Sequence, residues 1–129
     1  MHIKAVIRDG LFDFIEIHTV FCQNPAALGI GAYDHGKLVG LAGGSTDAEE
    51  IWQIGVDVLP EYRRQGVASS ITSNLALEII ARGKVPFYCS RWSNIPSVRN
   101  AIKSGFLPAW IEMAVKPVSA AEEMNRRTI

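Results

Sequence analysis

The chain is poor in cysteine. Cys22 and Cys89 are its only two, far apart and without the short spacing of a metal site. No disulfide framework and no metal centre are therefore expected, and the two thiols read most simply as free and buried. Net charge is also missing, since 13 basic and 13 acidic residues cancel. No global field then recruits nucleic acid or an anionic membrane. No apolar run approaches the ~20 residues of a membrane span. The N-terminal stretch has neither the apolar core nor the small-residue cleavage site of an export signal, so a cytoplasmic protein is expected. Repeats and low-complexity segments are absent too. What remains is 129 residues with 48% hydrophobic content, enough for one domain with a real core.

The most informative stretch is residues 54–80. It opens with Ile54-Gly55-Val56-Asp57-Val58, whose β-branched alternation suits a strand. Pro60 stops that strand, having no N–H to donate to a ladder. From Val67 onward, apolar residues at Val67, Ile71, Leu75, Leu77, Ile79 and Ile80 predict a long helix. Between strand and helix lies Arg63-Arg64-Gln65-Gly66-Val67-Ala68-Ser69. Two cations, a glycine and unpaired amides thus converge on the positive end of a helix dipole. A phosphate-binding turn has these requirements.

The pattern Val58-x-Pro60-x-x-Arg63-x-x-Gly66-x-Ala68 resembles the acyl-CoA-binding motif of the GNAT superfamily of N-acetyltransferases. A second motif, Asn94-x-x-Ser97 leading to Gly105-Phe106, is similar to that family's last short helix. The resemblance spans about residues 28–116 and fits the first 27 residues poorly. It implies an α/β (α+β) domain over 1–117 with a C-terminal tail over 118–129. The sheet would be mixed and mostly antiparallel, with flanking helices and a splayed pair of strands. It further implies acetyl-CoA as cosubstrate and an amine, on a small molecule or peptide, as acceptor. Backbone groups of Val58 would line the pantetheine arm. Arg63, Arg64, Gln65, Gly66, Val67, Ala68 and Ser69 would receive the pyrophosphate, and Asn94 would bond the cofactor arm. On the residues alone, Asn94 reads equally well as a plain helix N-cap.

The remaining elements follow from pattern. Residues 1–8 read as a first strand. Residues 11–23 carry both a helical stripe and the alternation IEIHTVF, and helix is favoured there. A strand over 28–33, the turn Asp34-His35-Gly36-Lys37 and a returning strand over 38–45 form a hairpin. His35, in that turn, reads as solvated rather than catalytic. After the long helix come a strand around Val85 to Ser90, a short helix from Ile95 to Lys103 begun by Asn94 and Pro96, and a last strand over 109–115. Trp52, Trp92 and Trp110 read as core or interface anchors. A homodimer is expected, because a sheet short of one covering helix leaves an apolar patch.

Acyl transfer to an amine also needs an acid for the leaving thiolate and a base for the amine. Many members of the resembled family place the acid, a tyrosine, seven residues after the asparagine; here that position is Ala101. Tyr88 is the nearest substitute, and Glu50 is the candidate base. The departure at Ala101 keeps a second reading open, that of an acyl-CoA-binding module without catalysis.

Overall fold

The protein, a computed structural model, is described over residues 5–7, 15–21, 28–46 and 48–127. Its centre is a six-stranded sheet in sequential order: β1 (Ala5–Ile7), β2 (Ile15–Phe21), β3 (Leu28–Asp34), β4 (Lys37–Ser45), β5 (Ile51–Val58) and β6 (Val85–Tyr88). All neighbours are antiparallel except β5 and β6, which run parallel. That single parallel pair needs a crossover, and helix α1 (Val67–Ala81) supplies it. Helix α2 (Ile95–Lys103) and helix α3 (Val118–Arg127) complete the described elements. This is the mixed α+β sheet that the resemblance implied.

The turn between β3 and β4 bends as its residues require. His35 and Gly36 have φ of 47° and 82°, the left-handed pair of a two-residue hairpin whose twist matches its strands. Helix α1 packs on β3, β4 and β5 through Val67, Ile71, Leu75 and Ile79, all fully buried. The spacing of four keeps one face inward, while Leu77 and Ile80, on other faces, stay exposed. Gly40 sets how closely the helix approaches. A Cβ there would lie 3.2 Å from both Val58 Cγ2 and Val67 Cγ1 and 3.3 Å from Ile71 Cδ1, so the missing side chain is space the helix uses.

Three expectations are corrected. The stretch favoured as helix contains a strand, β2. Its alternation prevails because Ile15 and Ile17 enter the core while Glu16 faces solvent, and both neighbours offer a ladder, Ile17 facing Ala5 on one side and Ala32 on the other. The expected last strand over 109–115 is not one: the segment is exposed and joins no ladder. Cys89 is exposed, not buried, because it lies just past the end of β6. Cys22 lies outside the described residues.

A polar clasp ties the hairpin to the approach to α1. Tyr62, 6% exposed and closing the single 3-10 turn Pro60–Tyr62, donates its hydroxyl to Asp34 Oδ2 at 2.7 Å. His35 Nδ1 lies 2.7 Å from Asp34 Oδ1. The Tyr62 bond chiefly, and the His35 bond next, hold the Asp34 carboxyl below its usual value. Its folded value is depressed, so its contribution is complete above the ordinary carboxylate range and is lost as pH falls through the lowered value. Tyr62→Phe should therefore lower the melting temperature at neutral pH, with the gap to the parent closing below about pH 4. Melts across a pH series check this, and a gap independent of pH would contradict it. In the core, Ile71→Ala should cost about 2–5 kcal/mol in denaturant unfolding.

Candidate active site

The β5–β6 ladder ends at Ile54 opposite Tyr88, yet β5 runs on to Val58. Beyond that point the two strands have no shared hydrogen bonds, and a cleft of about 830 Å³ opens between β5, the start of α1, and α2. Its size falls within the usual range for a small-molecule site.

One wall is the N-terminus of α1. Gly66, at φ 83°, is the N-cap residue, and no side chain caps the helix. The first helical bond is Ser70 N to Gly66 O at 3.0 Å. The amides of Val67, Ala68 and Ser69 therefore have no carbonyl a turn earlier to bond. Arg64, immediately before, is also left-handed at φ 61°, a strained setting for a residue with Cβ. The left-handed residues Arg64 and Gly66 bend the chain sharply into the first turn of α1.

Cations surround this end. Arg63 and Arg64 line the cleft from the turn, Arg99 and Lys103 from α2. Lys103 Nζ would lie 3.9 Å from a Cβ placed on Gly66. The last two escaped the reading of the sequence, although their spacing of four on one helix was the available signal. Arg63 also anchors the strand end. Its Nε donates to Val58 O at 2.8 Å, and its guanidinium stands 3.6 Å from Asp57. Asp57 in turn accepts from Val58 N at 2.9 Å. Both backbone groups of Val58 are thus already engaged at the cleft edge.

The other wall centres on Tyr88. Its hydroxyl is 2.9 Å from Ser97 Oγ and accepts from Asn100 Nδ2 at 3.3 Å. Asn100 Nδ2 also donates to the fully buried Thr72 Oγ1 at 3.1 Å. The ring packs on Phe106 at 5.7 Å. Tyr88 is therefore held by α2 and the loop after it, with α1 bracing Asn100 behind it, and stands where the strands part.

The expected site residues divide. Val58, Arg63, Arg64, Gly66, Ala68, Ser69, Tyr88 and Asn94 meet in the cleft. Val67 sits beneath it with its side chain in the core. Gln65 is turned back to Glu61 O at 3.2 Å. Asn94 does cap α2, its Oδ1 accepting from Ser97 N at 3.3 Å, and lines the cleft as well. Glu50 lies outside, in the turn before β5, with its carboxylate 3.8 Å from Lys84. His35 is on the far hairpin, 84% exposed.

This fold and cleft define a GNAT domain. A sequence model of the family described as GNAT acetyltransferase matches residues 20–109, more than half the chain, and the chain belongs to that family. GNAT acetyltransferases use acetyl-CoA as cosubstrate. Among solved structures, aminoglycoside N-acetyltransferase AAC(6')-Iy in complex with a bisubstrate analogue is similar at a TM-score of 0.63 and 19% identity, over 74% of this chain and 71% of that one. Aminoglycoside 6'-N-acetyltransferase AAC(6')-Ih from Acinetobacter baumannii is similar at 0.59 and 20%, over 74% and 72%. A GCN5-related N-acetyltransferase-like protein from Streptococcus suis reaches 0.57 and 26%, over 62% of this chain and 31% of its own. No curated protein sequence matches. No helix among the described residues is long and apolar enough to cross a membrane.

Gly66 gives the sharpest test of the cleft. A carboxylate there would meet the uncapped amides before any ligand phosphate could. Gly66→Glu should weaken acetyl-CoA binding at least tenfold, about 1.4 kcal/mol, in a calorimetric titration, with a thermal melt as the folding control. A folded variant that binds like the parent would remove the turn from the site.

Proposed function

We propose that the chain is an acetyl-CoA-dependent N-acetyltransferase acting on an amine of a small molecule or peptide. The observation that carries this is the uncapped, cation-flanked N-terminus of α1 facing the point where β5 and β6 part, with the Tyr88 hydroxyl at that point.

The donor set suits the cosubstrate. Amides of Val67, Ala68 and Ser69 and the Arg63 and Arg64 side chains would hold the pyrophosphate. Arg99 and Lys103 offer further charge to the phosphates from the opposite wall. Asn94 keeps an amide free for the arm while its oxygen caps α2. When bound, acetyl-CoA supplies a thioester carbonyl for the amine to attack and a thiolate to leave.

Tyr88 is the proposed acid for that thiolate. Asn100 donates to its oxygen, and Ser97 is placed to do the same. Donors on that oxygen stabilise the charge it gains as the proton leaves. No carboxylate in the cleft stands ready as base except Asp57, which is tied to Val58 and Arg63. Glu50 does not line the cleft, so we assign deprotonation to water or to an acceptor amine of low basicity. The exposed thiol of Cys89 suits a reducing, cytoplasmic setting. We also propose that the protein works as a homodimer.

Ala101 favours a second reading, a module that binds acetyl-CoA without turning it over. One assay separates the two. Thiol release from acetyl-CoA is measured with aminoglycosides, polyamines and peptides bearing free N-termini. The enzyme reading expects at least one class to raise release above hydrolysis, and Tyr88→Phe to lower kcat about 10²-fold with acetyl-CoA affinity unchanged. Binding without amine-stimulated release from any class supports the module instead. Full activity in Tyr88→Phe would remove Tyr88 as the acid.

A further inference from the structure

Thr72 is the only fully buried polar side chain among the described residues. It stands on α1 in the stripe Ala68, Thr72, Ala76, beside the apolar stripe that packs on the sheet. A valine would fill the same space without burying a hydroxyl, so the oxygen there calls for a partner. That partner is Asn100 on α2, whose Nδ2 donates to Thr72 Oγ1 at 3.1 Å. The same nitrogen donates to the Tyr88 hydroxyl oxygen at 3.3 Å. An amide nitrogen has two hydrogens and accepts nothing, so these two bonds use it completely. The Tyr88 oxygen is then an acceptor toward Asn100, and its own hydrogen is free to be given elsewhere. Its other neighbour, Ser97 Oγ at 2.9 Å, lines the cleft as Tyr88 does. Turned the other way, Asn100 would offer its carbonyl oxygen to both hydroxyls and draw the Tyr88 hydrogen away from the cleft.

We infer that Thr72 and Asn100 are positioning residues for Tyr88. Thr72, which does not line the cleft itself, fixes the direction of the Asn100 amide, and Asn100 keeps the tyrosine hydroxyl a donor into the cleft. The inference rests on the acid role proposed for Tyr88 and supplies the device that would permit it. In that step the amine nitrogen bonds the thioester carbon and the carbon–sulfur bond breaks. Sulfur keeps the electron pair and takes the Tyr88 proton, and the proton lost by the amine returns to the phenolate through water. A tyrosine whose hydrogen was committed to Asn100 would have to break that bond first.

Nitrogen-15 spectra of the full chain without ligand test the arrangement, and need no turnover. Thr72→Val should move the resonance of one Asn100 side-chain hydrogen, Tyr88→Phe should move that of the other, and Thr72→Ser should move neither far. In amine-stimulated thiol release, Thr72→Val should lower kcat by about three- to tenfold and Asn100→Leu by about tenfold or more. Thr72→Ser should keep the parent's kcat, and acetyl-CoA affinity should be unchanged in all three. In a Tyr88→Phe background neither loss should recur, because both act through the tyrosine, whereas a merely structural defect would persist there. Asn100 hydrogens that ignore both Thr72→Val and Tyr88→Phe overturn the inference, whatever the turnover. A Tyr88→Phe variant that is impaired while Thr72→Val and Asn100→Leu are not, or losses that persist in the Tyr88→Phe background, overturn the inference alone and leave the N-acetyltransferase reading standing. Full activity in Tyr88→Phe overturns the inference together with the acid role. The expected spectra without amine-stimulated release from any amine support the positioning and overturn the N-acetyltransferase reading instead.

Discussion

The contact on which the rest depends is that of α1 with β4 at Gly40. The helix comes so close that a Cβ at Gly40 would press on Val67 and Ile71 at 3.2 and 3.3 Å, and on Val58 at the end of β5 at 3.2 Å. This docks the first turn of α1 against the end of β5. The amides of Val67, Ala68 and Ser69 are thereby held beside the open backbone edge of β5 rather than out in solvent. A helix displaced by even an ångström would carry its dipole end away from the cleft. Fully buried Ile71, Leu75 and Ile79 secure the same register further along, and close-packed interiors leave little slack for such a shift.

The second wall depends on the first through Thr72. That residue is buried on α1 and accepts from Asn100, which also bonds Tyr88. One polar chain therefore runs from the crossover helix through α2 to the tyrosine at the strand parting. Such networks specify geometry when every member has a partner. Ala101 sits next to Asn100 on α2. Position 101, which the resembled family's pattern gives to an acid, is apolar here, and the reading proposed above gives that role to the Tyr88 hydroxyl on β6.

The turn into α1 was legible in the sequence because its requirements are local: a strand stop at Pro60, a glycine at 66, and an apolar period of four from Val67. The hairpin was legible for the same reason, through His35-Gly36. The β2 strand was misread because a short apolar stretch satisfies both periods, and the choice was made by two neighbouring ladders distant in sequence. Residues 109–115 have a strand's alternation, and pattern alone does not say that the chain leaves them unpaired. Arg99 and Lys103 were missed because a basic pair on a short helix reads as a solvated face until α2 is seen opposite Gly66. The Tyr88–Asn100–Thr72 chain joins three elements, and nothing in their order along the chain announces it.

Everything proposed for the cleft requires that acetyl-CoA be held by the uncapped end of α1 where β5 and β6 part. Titrating nitrogen-15-labelled protein with CoA, which carries the phosphates but no acyl group, addresses this residue by residue. The largest amide shifts should fall on Gly66, Val67, Ala68 and Ser69, followed by Val56 and Asp57 on the open edge of β5, with the β3–β4 hairpin unmoved. Saturating shifts confined to the hairpin or to α3, or none at millimolar CoA, would contradict it.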